Sequence, residues 1–567
     1  MRSYFLLLFL LASSSIFSQK KIDNTFLFPI DIKPSVSGSF AELRSNHFHS
    51  GIDLSTNGKT GIPIKSMESG TISRIKVSPV GYGNAIYIKH PNGYTTVYGH
   101  LKSYSKKVEE IITKAQYEKQ SFAIDYFPKE EIQIKKGEVI GFSGNSGSSG
   151  GPHLHYEIRD TESEEPLNPF MFQDIIKDDI RPHIEAIRLY PLNKDSRING
   201  STKPINFVAV FYDGKFHLKG NPTIKVKGDI GVAIKMLDYM SGSWKKCGVY
   251  KLDLYKNDTP IYGWELFRFS FYESRYLNSH IDYSYKKKTG RRYEKCFRDP
   301  NNKLSIYTNT VNDGIINCTG KDHLKFIAKD AAGNTSELGF NIIADTKSYP
   351  IVEPNKINNQ YKVNCKEDFK LEKENFSCHI PKNSLYKNEA IIIRELNQKS
   401  KENNPIFEIG DSHIPLHTSI ELNFNCPDST NHEQLCIASV SPKGNLYYAG
   451  GNFNDGKLSL KTRSFGKYTL SKDTVPPSIS LRNIPANHNY STKGIIYFRI
   501  SDSYSGIKSY NGFIDGKWCL FEYDAKSKLI WCKLDKTAVV KGVKHSLELI
   551  VEDNCNNTAK KEYSFVY

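Results

Sequence analysis

Two histidines stand one residue apart in the stretch GPHLHYEIRD, residues 151–160. The apolar residues between and after them predict a strand, and side chains at positions i and i+2 of a strand share one face. His153 and His155 are therefore predicted to point into the same small volume. Two imidazoles in one place can bind a metal ion or transfer protons. Histidine pairs also arise by chance, so this pair alone leaves the chemistry open.

A second candidate group is the H-x-x-x-D spacing of His49 and Asp53, within RSNHFHSGIDLST, residues 44–56. The glycine and apolar residues around Asp53 argue against a helix, and on an extended chain the even offset keeps His49 and Asp53 on one face. Two imidazoles and a carboxylate are a common zinc set, with one position left for water or substrate. Imidazoles suit zinc better than calcium or magnesium. By itself the pair is also compatible with a surface hydrogen bond and no metal.

A third candidate is His100, which ends the apolar run YTTVYGHL at residues 94–101. Taken singly, it reads as a structural histidine. The order of the motifs along the chain favours a functional role for His100. H-x-x-x-D is followed by a strand ending in Y-x-H-L, then by K-K-G-x-x-I-G-x-S-G-x-x-G, and finally by G-P-H-L-H.

Together these motifs resemble the lysostaphin-type, or LytM-like, zinc peptidases of bacterial cell walls over roughly residues 36–172. The resemblance implies a compact antiparallel β catalytic domain of the duplicated-hybrid-motif type, with an open groove that suits an extended peptide. It also implies peptide-bond hydrolysis by a zinc-activated water.

The same resemblance implies a role for each of the five candidate residues. His49, Asp53 and His155 correspond to the ligands of Zn²⁺. His153 and His100 correspond to catalytic histidines that face the same cavity and handle the proton.

Two features fall outside the family pattern. His47 has the same strand parity as His49 and could reach the groove, and we interpret it as a structural or rim residue. The insertion at residues 105–133 puts the shape of the substrate groove in doubt, but not the metal site.

Short β patterns bounded by Gly, Pro and Asn dominate residues 27–175. The exception is KKVEEIITKAQYEKQ, residues 106–120, which we predict to be a helix inserted between strands. Its apolar residues recur at helical spacing: Val108, Ile111, Ile112 and Ala115. The predicted fold class is therefore mainly β, with a helical insertion in the catalytic domain.

Beyond Asp179 two regions look like copies of one β module. Each has a proline-marked entry, a D-x-x-S-G segment and an Asp–Asn turn after an apolar strand. The first copy carries DDIRPHI (178–184), DYMSG (238–242) and KDAAGNT (329–335), and the second carries DTVPPSI (473–479), DSYSG (502–506) and EDNCNNT (552–558). Such a repeat is similar to the immunoglobulin-like β-sandwich modules of bacterial surface proteins, which act as spacers and interaction surfaces.

These patterns divide the chain into five predicted segments. They are a signal peptide at 1–18, the zinc peptidase domain at 19–176, an immunoglobulin-like module at 177–345, a β-rich module of unknown type at 346–470, and an immunoglobulin-like module at 471–567.

The N-terminal stretch MRSYFLLLFLLASSSIFSQKK reads as a secretory signal peptide cleaved before Gln19. An uncleaved anchor is the alternative, but the apolar stretch is short for crossing a bilayer. No other segment is long and apolar enough to cross a membrane. We therefore expect export to the periplasm, the cell envelope or the medium.

The charge balance narrows the class of molecule that the protein is expected to bind. The 77 Lys and Arg residues exceed the 61 Asp and Glu residues, and the resulting net charge of +16 suits an acidic partner. Export makes an anionic envelope polymer a better candidate than nucleic acid.

The ten cysteines of an exported chain predict some disulfide pairing, with Cys519 and Cys532 facing each other across a hairpin, although buried free thiols are the alternative.

The leading hypothesis is an exported zinc metalloendopeptidase that cuts peptide stems or crosslinks of peptidoglycan. One alternative keeps the zinc chemistry but takes secreted proteins as substrates. The other is a non-catalytic LytM-like activator of a cell-wall amidase, for which missing zinc ligands would be typical. The sequence leaves open whether the bond is in a glycine crossbridge or a direct D-alanyl–diaminopimelate link.

Overall fold

The computed structural model of the protein describes residues 26–173, 175–350, 357–426, 432–537 and 539–567. The signal peptide predicted at residues 1–18 lies outside these ranges. Within them, no helix combines the length and apolar character needed to span a bilayer. The described chain is mainly β, as predicted.

The N-terminal domain consists of short antiparallel strands and one long helix. Its elements are β1 (Val36–Gly38), β2 (Ile52–Ser55), β3 (Pro63–Lys65), β4 (Gly70–Val77), β5 (Asn84–Lys89), β6 (Tyr94–Leu101), β7 (Ser103–Tyr104), α1 (Lys106–Lys119), β8 (Ile124–Tyr126), β9 (Gln133–Ile134), β10 (Val139–Phe142), β11 (His153–Asp160) and β12 (Pro166–Leu167). The main sheet runs β1-β2-β11-β6-β5-β4-β8, with β12 beside β11 and β9 beside β4, and a second sheet runs β3-β10-β7.

Strand β11 shows why the main sheet carries a site on one face. Leu154, Tyr156 and Ile158 alternate along it and are fully buried in the hydrophobic core. Because side chains alternate across a strand, the histidines at 153 and 155 lie together on the opposite face. The domain core therefore sits on one side of β11 and the candidate site on the other.

Helix α1 is the inserted helix that the apolar spacing predicts. Val108, Ile112 and Ala115 are buried on its inner face, and Ile111 is half-buried beside them. The helix ends at Lys119, because the next residue, Gln120, takes a left-handed backbone conformation.

The following region, between residues 183 and 344, is built around one large mixed sheet with two short helices. Its elements are β13 (His183–Pro191), β14 (Arg197–Ile198), β15 (Ile205–Tyr212), β16 (Lys215–Leu218), β17 (Ile224–Lys227), β18 (Asp229–Tyr239), β19 (Lys246–Cys247), β20 (Lys251–Lys256), β21 (Thr259–Glu265), α2 (Leu277–His280), α3 (Tyr283–Thr289), β22 (Glu294–Lys295), β23 (Tyr307–Thr310), β24 (Ile316–Asn317), β25 (Lys321–Lys329) and β26 (Thr335–Ala344). We call this region the first β module.

Two further β regions follow, each with two sheets around its own core. The middle module contains β27 (Gln360–Val363), β28 (Phe369–Lys373), β29 (Phe376–Ile380), β30 (Glu389–Lys399), β31 (Pro405–Ile409), β32 (Ile420–Asn425), β33 (Leu435–Val440), β34 (Leu446–Gly450), β35 (Asn452–Asn454), β36 (Lys457–Thr462) and β37 (Gly466–Lys472). The last module contains β38 (Ser478–Leu481), β39 (Ile495–Ser501), β40 (Ile507–Ile514), β41 (Lys517–Cys519), β42 (Glu522–Asp524), β43 (Leu529–Lys533), β44 (Lys544–Asp553) and β45 (Thr558–Val566). Their assignment as immunoglobulin-like stays a prediction for the first and last modules.

The N-terminal domain and the first β module share one hydrophobic core. A single cluster of buried side chains extends from Phe26 through β11 to Ile342 in β26. Phe269 of the first module illustrates the continuity, because its ring lies 5.3 Å from that of Phe48 and 5.4 Å from that of Phe40. The domain boundary predicted at residue 176 stays a prediction, but no gap in the core marks it.

The expected disulfides are not formed. All ten cysteines are described, and all are buried free thiols. Cys519 lies in β41, whose sheet contains β40, whereas Cys532 lies in β43, which pairs with β39 and β42. Because Glu522 and Tyr523 of β42 occupy the hairpin positions opposite β43, the two cysteines lie on different sheets rather than across one hairpin.

We expect the Phe269→Ala substitution to destabilise the N-terminal domain and the first module together. Phe269 is 1% exposed, and truncating a buried phenylalanine costs about 3–5 kcal/mol. Thermal unfolding of the full-length protein measures the loss. The control is Tyr272→Ala, since Tyr272 is 94% exposed. An equal shift for both variants would contradict the shared core.

Candidate metal centre

Strand pairing brings two of the candidate ligands together. In the antiparallel pairing of β2 with β11, His155 stands directly opposite Asp53. Directly opposed residues have Cβ atoms about 5 Å apart on the same face of the sheet. Ile52 and Leu54, the neighbours of Asp53, point into the core on the other face. The register therefore fixes the Asp53 carboxylate and the His155 ring as neighbours.

His49 reaches the same point from the segment before β2. It precedes the strand, which begins at Ile52. Its backbone pairs with residues 41 and 42, where the His49 carbonyl accepts from Ala41 N at 2.8 Å and His49 N donates to Glu42 O at 3.0 Å. These backbone hydrogen bonds hold His49 above the start of β2. The residue is buried there, with 7% of its surface exposed.

The three side chains converge on one small triangle. His49 Nε2 lies 3.0 Å from Asp53 Oδ1 and 3.0 Å from His155 Nδ1, and His155 Nδ1 lies 2.9 Å from Asp53 Oδ1. Ligands about 2.0–2.1 Å from a tetrahedral metal ion are about 3.3 Å from one another. The spacing and the donor atoms therefore fit a small four-coordinate metal ion.

The hydrogen bonds on the far sides of the two rings fix which nitrogen faces the triangle. His49 Nδ1 donates to the carbonyl of Ser39 at 2.7 Å, and His155 Nε2 donates to Glu157 Oε1 at 2.9 Å. The proton of each neutral imidazole is thus held outside, which leaves lone pairs on His49 Nε2 and His155 Nδ1. Two lone pairs and a carboxylate oxygen that face one another need a cation between them.

Glu157 is a site residue that the sequence reasoning missed. It is fully buried, and its Oε1 also accepts from Ser50 Oγ and from Tyr82 Oη at 2.6 Å. Its Oε2 accepts from Arg159 Nε at 2.6 Å. Strand alternation was the available signal, because Glu157 and Arg159 continue the i, i+2 series of the two histidines.

The charges around Glu157 keep it ionised. Burial raises the pKa of Glu157, but the Arg159 guanidinium and the hydrogen bond from His155 lower it well below its ordinary value. Glu157 therefore supplies a negative charge behind the His155 ring, and Arg159 balances it from the other side.

The second oxygen of Asp53 is held by Arg44, another residue that the motif did not mark. Arg44 Nη2 donates to Asp53 Oδ2 at 3.0 Å. Gly38 of β1 makes room for this pair, because a Cβ atom there would lie 2.6 Å from both partners.

The two predicted catalytic histidines lie beside the triangle. His153 Nε2 is 3.4 Å from Asp53 Oδ1, and the His100 ring lies 4.8 Å from that of His153 and 5.8 Å from that of His155. His153 Nδ1 donates to Gly151 O at 2.8 Å, and His100 Nδ1 donates to Ser146 O at 2.9 Å. Both rings therefore carry their lone pair on Nε2.

His100 occupies an uncommon backbone conformation. Its φ of 58° is in the left-handed region, which a non-glycine residue adopts only when surrounding contacts enforce it. Its N–H donates to Tyr82 O at 2.8 Å. Burial, together with His155 and His153, lowers the pKa of His100 to about 3, so this ring is neutral at pH 7.

His47 does not join the cluster. Its side chain is exposed, while His49 two residues later is buried. Burial of part of the ring and the nearby Arg44 lower the pKa of His47.

The last module borders the loop that leads to His153. Lys526, in the turn between β42 and β43, donates to the carbonyls of Asn145 and of Ser149, the latter at 3.1 Å. Helix α1 meets the same module, since the rings of Tyr117 and Trp518 lie edge to face at 5.3 Å. The insertion is thus a contact surface for the C-terminal part of the chain.

Comparisons with known proteins identify the domain. Residues 47–117 and 124–169 match the model of Peptidase family M23, and residues 360–473 match that of the Zu5-like domain. The stretches that match Peptidase family M23 contain His49, Asp53, His100, His153 and His155. The N-terminal domain of this chain therefore matches Peptidase family M23, which confirms the lysostaphin-type resemblance.

Individual relatives share this domain. The DD-carboxypeptidase/endopeptidase Mpg of Neisseria meningitidis is 35% identical over 127 residues, which are 22% of this chain and 23% of Mpg. The peptidoglycan DD-endopeptidase ShyA of Vibrio cholerae is 28% identical over 137 residues, 23% of this chain and 26% of ShyA. The catalytic domain of lysostaphin from Staphylococcus simulans is 24% identical, with a TM-score of 0.19, over 24% of this chain and 89% of that domain. The match spans about a quarter of the length of Mpg and ShyA.

We expect Glu157→Gln to weaken metal binding by about 10–100-fold, the usual effect of changing the partner of a metal-ligating histidine. The amide retains an acceptor oxygen but removes the charge that opposes Arg159. Competition with a chromogenic chelator measures the affinity.

The matched control for this substitution is Glu162→Gln, at an exposed position of the same domain. Unchanged affinity in both variants would show that Glu157 does not support the metal centre.

Proposed function

We propose that this protein is an exported zinc metalloendopeptidase that hydrolyses peptide stems or crosslinks of peptidoglycan. The observation that carries the proposal is the triangle of His49 Nε2, Asp53 Oδ1 and His155 Nδ1, with both imidazole protons held away from it. The match to Peptidase family M23 makes a metal-dependent peptidase the expected class. Two nitrogens and one carboxylate oxygen favour zinc over calcium or magnesium.

Bound zinc would lower the pKa of a water molecule toward neutrality and polarise the scissile carbonyl. The neighbouring residues supply the proton transfers. His153 Nε2 and His100 Nε2 both present lone pairs beside the triangle, so each can accept a proton from the attacking water or a hydrogen bond from the reacting centre. One of them then returns the proton to the leaving amine. Because Gly151 and Ser146 hold the Nδ1 protons, neither ring needs to change tautomer first.

The proposed substrate class is supported by the names of the relatives and by the net charge of this chain. Mpg is named a DD-carboxypeptidase/endopeptidase and ShyA a peptidoglycan DD-endopeptidase, and their similarity to this chain covers about 130 residues. The net charge of +16 suits an anionic cell wall. The predicted signal peptide would deliver the protein to the periplasm, the envelope or the medium. A non-catalytic activator would not need a complete ligand set, and here His49, Asp53 and His155 are all present.

Metal content separates ligands from proton-transfer groups. We expect about one zinc per chain in the wild-type protein, and loss of both zinc and activity in Asp53→Ala and His155→Ala. His153→Ala and His100→Ala should keep the zinc and lose about 10²–10⁴ in turnover, because each removes a positioned proton-transfer group. Zinc stoichiometry by mass spectrometry and turnover on a crosslinked peptide are measured together. If His153→Ala empties the site while His155→Ala keeps it filled, the assigned roles are wrong.

Digestion of purified sacculi tests the substrate. We expect the wild-type protein to convert crosslinked muropeptides into fragments with a new amine and a new carboxyl group, as identified by mass spectrometry. His155→Ala provides the background. Intact sacculi combined with cleavage of an unstructured secreted protein would contradict the peptidoglycan assignment and favour the protein-substrate alternative.

A further inference from the structure

The repeated segments of the first and last modules each bring three aspartates together. Asp178, Asp238 and Asp330 form the first group, and each contributes an oxygen within 4.8 Å of the others. The second group is Asp473, Asp502 and Asp553, with the same spacing limit. The six residues are those that stand at equivalent places in the two copies of the repeat: the entry, the D-x-x-S-G segment and the Asp–Asn turn.

The first group is held by backbone and amide donors. Asp178 Oδ1 accepts from Ser241 N at 2.9 Å and from Ser241 Oγ at 3.0 Å. Asp330 Oδ1 accepts from Ala332 N and Asn334 N, and its Oδ2 accepts from Asn334 Nδ2 at 2.8 Å. Asn334 Nδ2 also donates to the carbonyl of Asp178 at 3.0 Å, which joins the two ends of the module.

The second group repeats most of this arrangement. Asp553 Oδ1 accepts from Cys555 N and Asn557 N, and Asn557 Nδ2 donates both to Asp553 Oδ2 and to the carbonyl of Asp473. Ser505 N donates to Asp473 Oδ2 at 3.1 Å. Two parts of the chain with different surroundings thus retain the same carboxylate geometry.

One oxygen of the first group lacks any partner. Asp238 is 4% exposed, and its Oδ1 is buried with no hydrogen-bond partner. Among the described residues, no salt bridge reaches Asp178, Asp238 or Asp330. Burial, with Asp330 and Asp178 nearby, raises the pKa of Asp238 to about 8. A buried carboxylate without a counter-charge is costly, so this group is incomplete without a cation or a proton.

The three carboxylates line a common cavity. Its volume is about 50 Å³, which is larger than the space that one water molecule requires. Cys247 also lines it, but burial and Asp238 raise the pKa of this thiol to about 12, so it is not a thiolate ligand at neutral pH. The ionisable ligands are therefore all oxygens.

We propose that Asp178, Asp238 and Asp330 bind one Ca²⁺ ion. Calcium takes oxygen ligands in flexible geometry, whereas magnesium demands a near-ideal octahedron and zinc prefers nitrogen and sulfur. The equivalent group at Asp473, Asp502 and Asp553, where Asp502 Oδ2 is also buried without a partner, is the corresponding place in the last module.

The calcium site lies at the junction with the M23 domain. Ser39 and Phe40 of that domain line the same cavity. Gly248, which follows β19, donates its N–H to Ser39 Oγ at 2.8 Å, and the Ser39 carbonyl accepts from His49 Nδ1. Calcium would therefore stabilise the contact that orients a candidate zinc ligand.

Calcium uptake by the zinc-loaded, full-length protein tests the proposal. In equilibrium dialysis, wild-type protein should bind one more Ca²⁺ per chain than Asp238→Asn, which keeps the shape of the side chain but removes its charge. Ca²⁺ at a hundredfold excess over its Kd should raise the wild-type Tm by about 4 °C. Asp178→Asn provides a second variant, and Asp213→Asn, at an exposed position of the same module, should behave as wild type.

Two results would overturn the proposal. One is equal Ca²⁺ uptake by wild type and Asp238→Asn. The other is a wild-type Tm that Ca²⁺ does not change, together with a higher Tm for Asp238→Asn, which would mean that the three carboxyl groups share a proton instead. A Tm shift from Mg²⁺ as large as that from Ca²⁺ would refute the choice of calcium.

Discussion

The pairing of β2 with β11 is the constraint on which the candidate site depends. It sets Asp53 opposite His155 and sends Ile52, Leu54 and Leu154 into the core on the other face. A shift of one residue in this register would turn the ligands inward and the apolar residues outward. Hydrophobic burial on one face therefore fixes the metal ligands on the other, and the fold needs no flexible loop to present two of the three.

The orientation of the four histidine rings is set by the groups that accept hydrogen bonds from their ring N–H protons. Backbone carbonyls of Ser39, Gly151 and Ser146 accept the Nδ1 protons of three histidines, and Glu157 accepts from the fourth. In each case the lone pair is left on the side of the cavity. A rigid backbone acceptor fixes a tautomer without adding charge, whereas Glu157 adds a charge that Arg159 balances in the buried interior.

The M23 domain is held by contacts with the neighbouring β modules as well as by its own sheet. The first β module shares its core, and the last module contacts both α1 and the loop before His153. Lys526 thus contacts Ser149, 377 residues away in sequence, on the loop that leads to His153.

The sequence by itself determined the mainly β fold, the inserted helix and the five candidate site residues, because strand alternation, helical spacing and the ordered histidine motifs are local patterns. It also located the three segments of each repeat. Only the tertiary structure decided that His49 lies outside the strand, that Glu157 and Arg44 complete the site, and that the cysteines remain unpaired. Only the tertiary structure brings the three segments of each repeat together, so that their aspartates form one cluster. These outcomes depend on which strands become neighbours, and that choice follows from the burial of the whole core rather than from any short stretch of residues.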